Sequence, residues 1–136
     1  MSLKKIGTIE YTTTLRVLPA QDGKPKLEVT GLGGSGDING NKVIDSSATY
    51  NAWLRSDGHW QGECPNSGLI ILEDGIVTFS ATGIGSPTED GGNSWKGVTY
   101  FETSAPSLTQ LNGKCIVYNW DVDAQGNAVW ELFEFS

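Results

Sequence analysis

A chain of 136 residues is long enough to bury about two thirds of the surface its unfolded form exposes, so it folds without a disulfide or metal staple. A formal net charge of −7 argues against a nucleic-acid partner and against an anionic membrane surface, because both are held mainly by Lys and Arg. Glycine, at 18 residues, is roughly double its usual share of about 7 %, and charged residues, at 18 %, fall below the usual figure of about 25 %. That balance suits an all-β domain with many turns.

The N-terminal segment Leu3-Lys4-Lys5-Ile6-Gly7-Thr8 turns polar at once, unlike a signal peptide, and no apolar run approaches the roughly 18 residues of a membrane span. The chain therefore reads as cytoplasmic. From residue 6 to residue 18, Thr8, Glu10, Thr12 and Thr14 alternate with Ile9, Tyr11, Leu15 and Val17, the period-2 pattern of a half-buried strand. Further strands are predicted over residues 26–32, 44–56, 59–64 continuing through 69–72, 76–84, 95–103, 114–122 and 128–135. A single helical turn is expected at 106–111, opened by Ser104 and Pro106 and closed by Asn112-Gly113.

Asp22-Gly23, Asp57-Gly58, Asp74-Gly75 and Asp90-Gly91, with Asn39-Gly40 and Asn112-Gly113, punctuate these runs. Such pairs tolerate the positive φ of the tightest hairpin turns and serve as register marks. Taken as a two-residue loop, Asp57-Gly58 sets Arg55 opposite Trp60, Trp53 opposite Gly62 and Asn51 opposite Cys64. The same reasoning at Asp74-Gly75 sets Leu72 against Val77 and Ile70 against Phe79. At Ala124-Gln125-Gly126, a three-residue loop sets Trp120 against Trp130 and Tyr118 against Leu132, with Asn119, Asp121 and Glu131 on the other face. The expected fold is a single all-β domain over residues 1–136, an antiparallel meander β-barrel of about eight strands, since closure removes exposed edges.

Several motifs are weaker than they look. Gly31-Leu32-Gly33-Gly34-Ser35-Gly36 matches the glycine string of dinucleotide loops, but Asp37-Ile38-Asn39-Gly40 follows it where a helix must begin. It reads instead as a strand end and a wide, bulged loop, and Thr82-Gly83-Ile84-Gly85 is equally unlike a nucleotide site. His59, the only histidine, falls at a solvated hairpin tip, where nearby Ser56 and Asp57 make no triad and no second histidine completes a metal set. Asp121, Asp123 and Asn127 lack the downstream glutamate of a calcium loop. Cys64 and Cys115 read as two reduced, packed thiols. No metal or cofactor is expected.

Glu63, Glu102, Asp121 and Glu131 lie inside predicted strands, and a carboxylate facing a lumen would be shifted toward acid or base work. Glu63, Glu102 and Glu131 are the catalytic candidates. Among the aromatics Trp53, Trp60, Trp95, Tyr118, Trp120 and Trp130, the candidates for ligand-binding walls are Trp53, Trp60, Tyr118, Trp120 and Trp130; filling the core is the commoner use of such residues.

Three stretches taken together, Trp53-Leu54-Arg55-Ser56-Asp57-Gly58, Leu72-Glu73-Asp74-Gly75-Ile76, and Tyr100-Phe101-Glu102-Thr103 followed by Leu111-Asn112-Gly113, resemble an uncharacterised family of small bacterial β-barrels. Its relatives lie in the calycin-like and allene-oxide-cyclase-like barrel group. The resemblance spans roughly residues 44 to 135 and implies an eight-stranded meander barrel, often oligomeric, with no established activity and hence no catalytic residues to carry over. The wider group includes cyclases that take a fatty-acid-derived epoxide and dirigent proteins that steer radical coupling. Their catalytic motifs are absent from this chain, as is the G-x-W of lipocalins.

Three functions follow as expectations. The first is a barrel that binds a small apolar or aromatic molecule in its lumen. The second is an isomerase or cyclase using a luminal carboxylate. The third is a structural barrel that forms a homo-oligomer and holds no ligand.

Overall fold

The computed structural model describes every residue from Met1 to Ser136. Nine strands follow one another: β1 (Leu3–Gln21), β2 (Lys24–Ile38), β3 (Asn41–Val43), β4 (Asp45–Leu54), β5 (Trp60–Leu72), β6 (Gly75–Pro87), β7 (Asn93–Thr103), β8 (Ile116–Val122) and β9 (Asn127–Phe135). Each long strand pairs antiparallel with its sequence neighbours, and β1 pairs with both β9 and β2, so the sheet closes into an eight-stranded barrel. The short β3 pairs only with the end of β2 and leads through Ile44 into β4. Closure leaves most of the sheet without an open edge, as the meander pattern predicts.

Two kinds of turn recur. Asp22-Gly23 and Asn39-Gly40 have positive φ at both residues, 53° and 76°, 49° and 78°, and join Gln21 to Lys24 and Ile38 to Asn41 as two-residue hairpins. The loops at Gly58, Gly91 and Gly126 are one residue longer. In them Arg55, Thr88 and Asp123 each donate a backbone N–H to His59, Gly92 and Asn127 four residues on, while the left-handed glycine donates back to the carbonyl of the same residue.

That extra residue corrects the expected register of β4 on β5. Leu54 lies opposite Trp60, Trp53 opposite Gln61, Ala52 opposite Gly62 and Asn51 opposite Glu63. A slip of one residue exchanges the faces, so Ala52 points into the barrel and Trp53 points out of it. At the next hairpin the turn is Glu73-Asp74, and Leu72 pairs with Gly75, Ile70 with Val77 and Gly68 with Phe79. This slip is of two residues, so the partners change but the inward face survives. At the last hairpin Trp120 faces Trp130 and Tyr118 faces Leu132, as expected.

The glycine string at 31–36 belongs to β2 and is not a wide loop; the strand continues to Ile38 through a bulge opposite Glu10 and Thr12. A second bulge, between Cys64 and Gly68, interrupts β5 where the sequence pattern broke. Cys64 is buried and Cys115 is exposed, so only one of the two thiols is packed.

One end of the barrel is plugged. The link between β7 and β8 carries a 3₁₀ turn (Thr109–Leu111), within the helical turn expected at 106–111, and turns Ala105, Leu108 and Leu111 into the interior at 0–1 % exposure. Asp74 accepts hydrogen bonds from the N–H and hydroxyl of Ser107 (2.8 and 2.9 Å), and the Asn112 side chain bridges the N–H and carbonyl of Thr103 (2.9 and 2.8 Å). These bonds fix the plug over Ile6, Ile38, Val43 and Leu72. No helix is long and apolar enough to cross a membrane.

Candidate functional site

Away from the plug the lumen is lined by aromatic rings. On β8 and β9 the two-residue alternation sends Tyr118, Trp120 and Trp130 inward while Asn119, Asp121 and Glu131 point outward. Small residues on the neighbouring strands make room for them. A Cβ on Gly62 or Gly85 would lie 2.7 or 2.6 Å from the Trp95 ring, and one on Gly83 would lie 2.6 Å from the Tyr118 hydroxyl. The sequence-based idea of an aromatic covering Gly62 is thus realised by Trp95 of β7 and not by Trp53. Phe79, Tyr11 and Tyr50 complete the wall around an inner cavity of about 60 Å³.

The polar atoms of this wall are largely engaged. Ser46 donates to the carbonyl of Leu69 (2.8 Å), so the Tyr11 hydroxyl donates to Ser46 Oγ (2.7 Å). Tyr118 donates to the carbonyl of Thr82 (3.0 Å). Tyr50 Oη accepts from Trp120 Nε1 (3.0 Å), and its own proton has no acceptor. Burial pushes the Tyr50 hydroxyl up to about 12 and moves Tyr11 and Tyr118 upward as well, since a phenolate loses hydration there. Burial also raises the Cys64 thiol, which lies 3.4 Å from Ser67 Oγ.

Above the inner cavity lies a wider mouth of about 300 Å³. Tyr50 and Trp95 border both spaces, their rings edge to face at 5.7 Å. Trp60 forms one wall of the mouth, and Leu15, Leu27 and Val29 of the β1–β2 hairpin form another. Leu15 and Val17, 60 % and 72 % exposed, belong to the part of β1 that runs beyond its last pairing with β9 at Asn127. Asp123 is the one charged residue on the lining, and its carboxylate is taken up by its own turn: Oδ1 accepts from the N–H groups of Gln125 and Asn127 (both 2.9 Å), and Oδ2 faces Asn127 Nδ2 (3.4 Å). Asn93 also borders this space; its Oδ1 is buried out of reach of solvent and has no hydrogen-bond partner.

The residues singled out from the sequence are divided by this geometry. Tyr118, Trp120 and Trp130 meet at the inner cavity, Trp60 stands at the mouth, and Trp53 lies on the outer face opposite Lys26 and Gln61. None of the three carboxylates faces the lumen. Glu63, between the buried Gly62 and Cys64, points out and accepts from Gln61 Nε2 (3.1 Å) and Thr82 Oγ1 (2.8 Å). Glu131, between Trp130 and Leu132, pairs with Lys5 (2.7 Å), and Glu102, beside the buried Phe101, is exposed. In each case the strand alternation that buries the neighbours turns the carboxylate outward. His59 sits exposed at its hairpin tip with Nδ1 3.3 Å from Asp57 Oδ1. No three His, Cys, Asp or Glu side chains converge as metal ligands.

Tyr50, Trp95 and Asn93 join the site without having been chosen as ligand-binding residues. Tyr50 had a signal in the alternation of Ala48, Tyr50 and Ala52, and Trp95 was already among the candidate aromatics. Asn93 had none, since only the third dimension leaves its oxygen unpaired.

No protein-family profile and no curated protein sequence matches the chain. Among solved structures, it is similar to a conserved protein of unknown function from Rhodopseudomonas palustris (TM-score 0.81, 15 % identity, covering 98 % of this chain and 96 % of that one). It is also similar to a β-barrel like protein from Acinetobacter baumannii (TM-score 0.79, 13 % identity, 99 % and 96 % coverage) and to a protein of unknown function from Clostridium acetobutylicum (TM-score 0.78, 14 % identity, 100 % of each). At these identities the likeness shows the shared barrel fold over the full length.

Proposed function

We propose that the barrel binds a small, largely apolar aromatic molecule at its open end, with the body of the ligand in the mouth between Trp60 and Trp95 and a short substituent reaching the inner cavity past Tyr50. The observation that carries this reading is the pair of adjoining spaces, about 300 and 60 Å³, that share Tyr50 and Trp95 as their boundary. A volume near 300 Å³ is at the lower bound of small-molecule sites, and an aromatic lining with a few polar atoms is their usual composition. Trp60, Trp95, Tyr118, Trp120 and Trp130 form the proposed walls. An enzymatic reading has less support, because Glu63, Glu102 and Glu131 lie outside and Asp123 is occupied by its turn.

The same reading puts the chain among the calycin-like and allene-oxide-cyclase-like barrels and in the cytoplasm. Support comes from the eight-stranded meander and from an outer face carrying Lys5, Glu63, Lys96, Asn119, Asp121 and Glu131, the reverse of the apolar exterior a membrane barrel presents to lipid. The test is a fluorescence titration with the neutral probe N-phenyl-1-naphthylamine. Saturable binding is expected, weakened at least tenfold by Ala52→Leu, which narrows the mouth. Absence of saturable binding up to the solubility limit of the probe overturns the proposal.

A further inference from the structure

Two indole N–H groups inside the barrel have no acceptor. Around the inner cavity the Tyr11 and Tyr118 hydroxyls and the Trp120 indole each donate a hydrogen bond within the protein, to Ser46, Thr82 and Tyr50. Trp95 Nε1 and Trp130 Nε1 donate to nothing, although these residues are only 6 % and 4 % exposed. Among residues that are not exposed, Asn93 Oδ1 is the one unpartnered side-chain oxygen or nitrogen without accessible surface, so both indole nitrogens keep a surface that a small group reaches. Trp130 borders the inner cavity and not the mouth, which places its N–H surface on the inner cavity. The Tyr50 hydroxyl, whose oxygen accepts from Trp120, adds a third proton without an acceptor on the same lining. A buried donor left unpaired retains its desolvation penalty, and buried Trp and Tyr usually find a partner.

Resting on the lumen site proposed above, we infer that the ligand is a neutral aromatic carbonyl compound whose oxygen enters the inner cavity and accepts a hydrogen bond from Trp130 Nε1. The acceptor follows from the donors, since a carbonyl oxygen takes the Trp130 proton and keeps a second lone pair for a neighbouring one. Neutrality follows from the lining. No Lys, Arg or His borders either space, so a carboxylate would lose its hydration with no cation to replace it. A cation finds only Asp123, whose oxygens already accept from Gln125 and Asn127. Aromatic character follows from Trp60 and Trp95 on the walls of the mouth, and an inner space of about 60 Å³ limits the substituent to a small group such as acetyl. Trp130 is then a specificity-determining residue: an analogue with a methylene group in place of the oxygen leaves its N–H unpaired in the complex as well, and sites built to hydrogen-bond a ligand discriminate against such analogues.

The experiment compares 2-acetylnaphthalene with 2-isopropenylnaphthalene, which differ by the exchange of C=O for C=CH₂, as competitors of bound N-phenyl-1-naphthylamine. The alkene is the more easily desolvated of the two, so a lumen without a free donor favours it. The expected result is at least threefold tighter binding of the ketone to the wild type, with the ¹³C-labelled carbonyl stretch of the bound ketone lower than in hexane. In Trp130→Phe, which keeps a ring and loses the N–H, the stretch should move back toward its hexane value and the preference should disappear. Equal or tighter binding of the alkene to the wild type, or a bound stretch no lower than in hexane, overturns the inference and leaves the lumen site standing. These wild-type readings do not depend on how Trp130→Phe folds. An unchanged stretch and preference in a folded Trp130→Phe variant overturn the assignment to Trp130. If naphthylamine binds and neither compound displaces it, the inference alone falls; if naphthylamine itself does not bind, the lumen site falls and the inference with it.

Discussion

At the end of the barrel where β5 turns into β6, the interior is stopped by Ala105, Leu108 and Leu111, all close to fully buried, and the plug is tied to its surroundings by hydrogen bonds that Ser107 donates to Asp74 and that Asn112 exchanges with Thr103. At the opposite end the same strands pass through Gly62, Gly83 and Gly85, and the space that these glycines release is only partly refilled by Trp95 and Tyr118. The difference lies in side-chain volume. Branched aliphatics pack to high density where the link covers them, whereas a large ring over a glycine leaves gaps at its edges. The closely packed plug lies at the first end and the candidate site at the second.

The sharpest way to break this contrast is to empty the plug. Leu108→Ala removes a fully buried side chain and is expected to lower unfolding stability by about 2–5 kcal/mol in a urea titration. Probe affinity of the folded fraction should stay unchanged, and a matching loss of affinity would show that the two ends are coupled.

A second effect comes from the open half, where the raised tyrosines lie. A hydroxyl whose folded value stands above its unfolded value near 10 supports the fold fully below that pH. The support is then lost as pH rises through the folded value. For Tyr50, shifted up to about 12, the loss amounts to roughly 2–3 kcal/mol across the window from 10 to 12, with Tyr11 and Tyr118 acting in the same direction. Tyrosinate absorbance and circular dichroism should change together in that window, and undiminished stability at pH 12 would contradict the burial of these rings.

Gly85→Ala tests the packing of Trp95 directly. The added methyl would sit 2.6 Å from the indole, so a destabilisation of about 1–3 kcal/mol is expected together with a shift in tryptophan emission and an altered probe affinity. The smallest effect is expected at the overhanging hairpin. Arg16→Ala breaks an exposed pair with Glu28 at 3.2 Å and should change stability by no more than about 0.5 kcal/mol.

Much of this architecture was legible without coordinates. The strand alternation, the Asp-Gly and Asn-Gly turns and the absence of a helical period specify an antiparallel meander, because a strand's two faces and a turn's backbone angles are local properties. The loop at Gly126 was legible too, and with it the meeting of Trp120 and Trp130. Loop length at Gly58 was not, and one residue there moved Trp53 from the lumen to the surface, while the two-residue slip at Gly75 left Ile70 and Phe79 facing inward. The sequence by itself thus determined the meander and the apolar character of one face. Tertiary structure alone decided which aromatics share a cavity and that Asn93 Oδ1 lacks a partner. Those facts depend on which residues stand across the barrel from one another, and closure brings together atoms that the chain holds far apart.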